Sequence, residues 1–569
     1  MKFRFVLLLL CVLCVLCVAG FSLDRTAFTF LSYDLEVRVD PAGQAMSARG
    51  KIRLRNDSAA AQSEFVLQVS SSLKWRLVEV NGKDVQYSEN LYITDIDHTA
   101  AVNEVVVRLP EPVPSRGTIE VEVGYAGQIL RDAKRLTQMG VPATTAARSD
   151  WDRVEEPLTA VRGVGYVAWY PVALAAVNLS ELDYFATLAA WKDRQRSSSM
   201  RLNLCWVSEE ENLNVISNGV LEGANRNVLG ETDEIATHRG CSLYSFANLG
   251  WTVPSFAIAN YASLLRPAIN IFHLSDQASL AQEYVLAAEK VLPLDAQWFG
   301  DPKKKVTVVQ VPDAGAASFE SGPMLFTPLE TLDRKGLEAR MMHQLVHASF
   351  SSPRQWIDEG LAHFAMALLR EQDGRAAAIV YMNQFLAPLQ SAEKQPGEHG
   401  LATSTDELMY RIKAMFVWWM LRDMVGDAAL QRALKQFRPA DDKSPSYLPD
   451  LIAREAHRDL SWFFDEWVYR DRGLPDFRVV SAFPRQTLAN AYVVAVTVEN
   501  LGAVSAEVPV IVRTAQGDRV KRVLVKAHDK TIERIEVPVV PTEVIVNDGS
   551  VPESDTANNS FVIPKEPKR

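Results

Sequence analysis

Apolar residues change their spacing twice along this chain, and that limits what it can fold into. From about Asp24 to Ala262 they recur at every second position, in Tyr33–Val39, Ala48–Arg55, Glu64–Val69 and Thr118–Tyr125, with turn signals such as Asn81-Gly82 between them. Alternation of this kind buries one face of a strand. Near Asp276 the spacing becomes helical: Leu280–Val291, Gly336–Phe350, Trp356–Arg370, Arg375–Leu389, Leu408–Val425 and Ala428–Phe437 carry it, with Lys305–Val311 a short buried strand among them. From Pro475 the period of two returns, in Val493–Val498, Val508–Val512, Val520–Val525 and Thr531–Val537. Short strands so spaced predict a small β-sandwich. A chain of 569 residues divides into domains of roughly 100–200 residues each, so the two periods belong to separate domains. The expected fold class is multidomain α+β, with a leader at 1–22, a β-rich domain at 23–265, a mixed α/β part passing into helices at 266–473, and a sandwich at 474–569. The polar stretch Arg131–Thr159 reads as a long loop, and Glu393–Gly400 as a connector between helices.

The first residues set the compartment. Lys2 and Arg4 precede an uncharged apolar run of 17 residues, Phe5–Phe21, with small residues Ala19, Gly20 and Ser22 where a signal peptidase cuts. A cleaved secretory signal is the expectation, and the product is exported, periplasmic or extracellular. An uncleaved membrane anchor and lipidation of Cys17 are the alternatives, the run being at the short end of what spans a bilayer. Outside the leader only Cys205 and Cys241 remain of the five cysteines. In an exported protein they read as one disulfide, with two buried thiols as the alternative. A formal net charge of −10 and the lack of a basic run exclude a nucleic-acid partner.

Three of the nine histidines fall within 343–363. His343-Gln344-Leu345-Val346-His347 places two imidazoles four residues apart, one above the other on a helical face, where both reach one ion. Glu359, in the following Trp356-Ile357-Asp358-Glu359-Gly360-Leu361-Ala362, adds a carboxylate. Two imidazoles and a carboxylate, with a fourth position open, are the donor set of a catalytic zinc, one Zn2+ per chain. His363, one turn beyond Glu359, is placed to support a ligand from behind. Asp358 is expected to point away from the ion. A bare His-x-x-x-His also occurs by chance, and the Trp-x-x-Glu-Gly-x-Ala helix after it is what favours the metal. In a His-Glu-x-x-His site the Glu accepts a proton from the attacking water and returns it to the leaving amine. Here Gln344 stands in that place, a side chain that accepts no such proton, and loss of a general base costs roughly 100- to 10,000-fold in rate.

These residues carry a resemblance to the aminopeptidase N and leukotriene hydrolase family of gluzincin zinc metallopeptidases, from about Tyr33 to Pro475. Its landmarks are the order of Val215-Ile216-Ser217-Asn218-Gly219, Trp298-Phe299-Gly300 with Lys305–Pro312, and Asp459-Leu460-Ser461-Trp462-Phe463-Phe464-Asp465-Glu466-Trp467 before Gly473-Leu474-Pro475. The resemblance implies an N-terminal β-saddle, a thermolysin-like catalytic-type domain and a helical segment. It implies His343, His347 and Glu359 as zinc ligands, and Glu320, in Ala317-Ser318-Phe319-Glu320-Ser321, as the anchor of a substrate's α-amine. A solvated loop carboxylate is the alternative for Glu320. The family's oxyanion-stabilising Tyr corresponds to Arg411, or with a one-residue slip to Tyr410; both are otherwise the start of a helix. The chain also departs from the family in setting only 11 residues between His347 and Glu359. The C-terminal part resembles bacterial adhesion-type immunoglobulin-like domains instead, on Glu499-Asn500-Leu501-Gly502 and Val551–Asn559. Its acidic turn Asp548–Asn559 reads as a hairpin turn before a calcium loop.

Three functions remain open to such a chain. The favoured one is a zinc-binding homologue whose cleft takes a peptide or protein ligand with hydrolysis impaired or lost. The alternative is an active zinc aminopeptidase or related hydrolase using another base. The third is a purely structural or adhesive protein whose metal site is vestigial.

Overall fold

The computed structural model describes residues 23–181, 183–231, 236–249, 252–394, 400–404 and 406–564. The leader at 1–22, with Cys11, Cys14 and Cys17, lies outside the described residues, as does most of the connector expected at Glu393–Gly400. Among the described residues no helix is long and apolar enough to cross a membrane. Two compact units make up the chain, Met1–Asn260 and Tyr261–Arg569.

The first unit is built on an eight-stranded sheet in the order Val220–Glu231, Ala236–Phe246, Ser199–Ser208, Phe28–Asp40, Ala45–Asn56, Thr118–Gln128, Leu73–Val80, Lys83–Asp84. Phe28–Asp40 runs parallel to Ser199–Ser208 and antiparallel to Ala45–Asn56. The alternation read from the sequence lies on these strands: Leu35, Val37 and Val39 are buried while Glu36 and Arg38 between them are not. Cys205 and Cys241 sit directly opposite each other on adjacent strands and are joined in a disulfide.

Two features of this unit depart from expectation. A helix, Asp183–Arg194, interrupts the strands. The stretch Arg131–Thr159, expected as a long loop, is not loop throughout: it holds the short helices Lys134–Gln138 and Ala143–Ser149 and runs into the strand Leu158–Val161. A few of its polar residues, Arg135, Asp150, Asp152 and Arg153 among them, are nevertheless buried. Arg135 pairs with Asp150 at 2.8 Å and Arg162 with Asp152 at 2.7 Å, all four side chains at most 3% exposed. Arg162 also lies over the rings of Tyr166 and Trp151. Charges that satisfy each other leave a polar sequence with a buried address, which composition alone does not reveal.

The second unit opens with a five-stranded sheet, ordered Ala262–Leu265, Ile269–His273, Val306–Gln310, Met324–Thr327, Phe319–Ser321. Its three central strands are parallel, and the helix Ala278–Phe299 supplies the crossover between the first two. Phe319–Ser321 closes the edge antiparallel to Met324–Thr327. The helices Arg334–Ser349 and Gln355–Glu371 follow. The single helix expected over Leu408–Val425 divides in two: Leu408–Lys413 is wound as a π-helix, and Ala414–Val425 as an α-helix. The extra residue per turn of a π segment rotates its side chains relative to a continuous α-helix.

The C-terminal strands form two facing antiparallel sheets. One is Phe477–Gln486, Tyr492–Asn500, Lys530–Val537; the other is Arg519–Val525, Ala506–Thr514, Pro541–Val546, Ser560–Val562. Val494, Val496 and Val498 meet Val508, Val510, Val544 and Val546 in a core continuous with that of the helices. The acidic turn connects Pro541–Val546 with Ser560–Val562 as a hairpin, organised on the buried Glu553 carboxylate, which accepts from Asn547, Asn559 and the Phe477 backbone N–H.

Candidate metal centre

The helix Arg334–Ser349 starts where Asp333 caps it, accepting from the Gly336 N–H, and from Met341 onward every residue is buried. His343 and His347 lie one turn apart on it, their Nε2 atoms 3.2 Å apart. Glu359 comes from the next helix, with Oε2 3.8 Å from His343 Nε2 and Oε1 3.7 Å from His347 Nε2. The three residues named as ligands are therefore together, and the short link between the helices accommodates them.

Asp358 does not point away from the cluster. Its Oδ2 lies 3.3 Å from Nδ1 of His347, on the far side of the ring from Nε2, and its Oδ1 accepts the Ser352 N–H at 2.8 Å. A carboxylate there holds the proton on Nδ1 and turns Nε2 toward Glu359. Helical geometry turns Asp358 away from Glu359, but a metal-facing imidazole has a second nitrogen that needs an acceptor, and that was the available signal.

Glu320 reaches the same place from the edge strand Phe319–Ser321. Its Oε2 lies 3.1 Å from His343 Nε2 and accepts the Gln344 side-chain N–H at 2.8 Å; its Oε1 accepts from Arg411 Nη2 at 3.0 Å. Arg411 Nε is 3.2 Å from Glu359 Oε2, so one guanidinium spans both carboxylates. Of Tyr410 and Arg411, it is Arg411 that the π segment brings onto this group. Tyr410 packs against the core beside it. His363 stacks edge-on against His343, ring centres 5.2 Å apart, and neither of its nitrogens has a hydrogen-bond partner among the described residues.

The charges explain one another. Burial and the nearby Glu320 push the Glu359 carboxyl up, against the pull of His347, His343 and Arg411. Burial acts the same way on Glu320, but His343, His347 and Arg411 outweigh it and hold that carboxyl below the usual range. Burial works to lower His347, yet Asp358, Glu359 and Glu320 push it up to about 10. His363, buried beside His343 and Arg411, is held well below its ordinary value and is neutral.

The donors fit a zinc-type ion. Two nitrogens each about 2.0–2.1 Å from a tetrahedral ion stand about 3.3–3.4 Å apart, close to the 3.2 Å between the two Nε2 atoms. Glu359 Oε2 and Gln344 Oε1 are buried, and no described residue donates a hydrogen bond to either. Ligand atoms fall into overlapping trios, each within 4.8 Å: Glu320, His343 and His347; His343, Glu359 and His363; His347, Asp358 and Glu359. An ion here displaces the proton that His347 otherwise carries.

No family model and no curated protein matches the sequence. Solved structures do match the fold. Aminopeptidase A of Legionella pneumophila, in complex with aspartic acid, superposes with a TM-score of 0.62 at 12% identity, over 94% of this chain and 59% of that one. An M1 zinc metallopeptidase from Deinococcus radiodurans, solved as a mutant, gives 0.48 at 15% identity, over 76% of this chain and 92% of that one. The chain thus spans about three fifths of the length of the Legionella enzyme, and the unmatched remainder of this chain is smaller than its C-terminal sandwich. What the Legionella match establishes is a shared architecture: this chain has the fold of that aminopeptidase over most of its length.

Proposed function

We propose that this chain is an exported, zinc-binding homologue of the gluzincin aminopeptidases whose peptide hydrolysis is impaired or lost, leaving a cleft that binds a peptide or protein. His343, His347 and Glu359 hold the zinc, which when bound supplies a Lewis acid to polarise a carbonyl. The observation that carries the reading is Gln344. It follows His343 on the helix, is 1% exposed, and commits an amide N–H to Glu320 at 2.8 Å. Its other amide N–H can only donate, and its carbonyl oxygen orients a donor but takes no proton. Arg411 is the remaining cation, and its guanidinium is where an oxyanion would be stabilised.

Export rests on the N-terminal run and is supported by the disulfide, a bond of oxidising compartments. The C-terminal sandwich is read as immunoglobulin-like on its sequence signatures. An active aminopeptidase needs a different base, and the nearest carboxylates are already engaged: Glu320 by Gln344 and Arg411, Asp358 by His347 and Ser352.

Hydrolysis of a panel of aminoacyl and short-peptide substrates with added zinc, native protein against Gln344→Glu, tests this. The expected result is turnover only by the variant, by roughly 100- to 10,000-fold over native. Comparable turnover by the native protein would overturn the reading.

A further inference from the structure

Glu320 is better placed as a ligand than as an anchor for something else. Its Oε2 is closer to His343 Nε2, at 3.1 Å, than either oxygen of Glu359 is to an imidazole, at 3.7 and 3.8 Å. With His343 and His347 it forms a trio of ligand atoms within 4.8 Å of one another. Gln344 donates to its Oε2 and Arg411 to its Oε1, and the lone pair that Oε2 keeps lies beside the His343 imidazole.

We propose that Glu320 is a fourth protein ligand to the zinc, held in place by Gln344 and Arg411, so that the site is closed by side chains. This rests on the zinc-binding reading above and gives it a second cause. Four nitrogen and oxygen donors from the protein make a structural zinc site, whereas a catalytic one keeps a position open. Gln344 and Glu320 are chemically coupled. A glutamine has an N–H to offer the Glu320 carboxylate and a glutamate has none, so the residue that removes the base also supplies the donor that steadies the extra ligand; Gln344→Glu reverses both at once, restoring the base and releasing Glu320 to open the fourth position. Arg411 completes the arrangement by spanning Glu320 and Glu359, neutralising the repulsion between two carboxylates brought to one ion. The cleft then has no carboxylate to select a free α-amine, and a bound peptide is recognised away from the metal.

Coordination can be read without turnover. The full-length chain is loaded with cobalt(II) in place of zinc, and its visible spectrum is recorded with and without acetohydroxamate, a bidentate probe for an open position. Zinc affinity is measured in parallel by competition with a chromophoric chelator, for the native chain and for Glu320→Gln. A closed site gives a native spectrum that acetohydroxamate leaves unchanged. Glu320→Gln then becomes responsive to the probe and loses zinc affinity by more than about 100-fold, since even a partner behind a ligand is worth about 10–100-fold. A native spectrum that shifts with the probe overturns the assignment, with no need of a variant. So does a Glu320→Gln chain that binds zinc as tightly as the native one, and in both cases the zinc-binding reading stands. A native chain that takes up neither metal overturns both.

Discussion

At the residue scale, one buried carboxylate outside the His343, His347 and Glu359 cluster has a measurable consequence. Asp295, on the helix Ala278–Phe299, is fully buried; its Oδ2 accepts from Ser349 Oγ, and its Oδ1 accepts from no described residue. Burial pushes its carboxyl up to about 7, against a smaller opposite pull from Ser349. A carboxyl whose folded pKa lies above its unfolded value keeps its proton longer in the folded chain. Its stabilising contribution is therefore complete below about pH 4 and is lost as pH rises through 7. A shift of that size corresponds to roughly 4 kcal/mol. Asp295→Asn should have little effect on the melting temperature near pH 4, and by pH 8 should melt well above the native chain. Parallel melting curves at the two pH values would show that Asp295 ionises normally.

Among the elements, the contact between the Glu359 helix and Ala414–Val425 depends on a missing side chain. A Cβ at Gly360 would come within 2.6 Å of the Ala414 Cβ and 3.0 Å of Trp418 Nε1. That approach lets Trp418 stack on Trp356, ring centres 5.1 Å apart, and donate to the Trp356 carbonyl. Gly360→Ala should thus cost about 1–3 kcal/mol by overpacking, seen as a lowered melting temperature, and should weaken zinc binding through the adjacent Glu359. Unchanged melting would mean the two helices are not in contact. The Glu359-Gly360 pair was visible in the sequence because a helix repeats its geometry locally, and so was the His343–His347 spacing. The engagement of Glu320 was not, since its strand meets the zinc helix 23 residues away in sequence through a sheet edge that no periodicity encodes. Arg411 was ambiguous against Tyr410 because the π winding of Leu408–Lys413, which decides between them, leaves no mark on hydrophobic spacing. The buried Arg135–Asp150 and Arg162–Asp152 pairs were hidden for a third reason: charges that pair internally look like solvent-facing ones until the fold brings them together.

On the scale of the whole molecule, the sandwich is the part whose independence can be tested. A domain joined only by a linker would bury its own core and leave its neighbour's surface polar. Here the helices and the sandwich share one continuous core. Trp467, fully buried, donates its indole N–H to the Ser505 carbonyl at 2.8 Å, and Glu466 accepts the Ser505 N–H. Arg458 pairs with Glu507, Arg375 with Asp548, and Gln390 donates to the Glu553 carbonyl. Asp423 is held between Arg375 and Arg522, one from each side. Removing residues 476–569 would uncover Trp467 and strip the partners from Arg458 and Gln390, leaving apolar surface and unpaired polar groups together. The shortened chain should be poorly soluble, or should melt well below the full-length protein and bind zinc more weakly. The helices that carry His343, His347 and Glu359 rest on that same core, so loosening it reaches the cluster. If the shortened chain instead melted as sharply as the full-length protein and kept its zinc affinity, the sandwich would be a detachable appendage, and its function would have to be sought apart from the cleft.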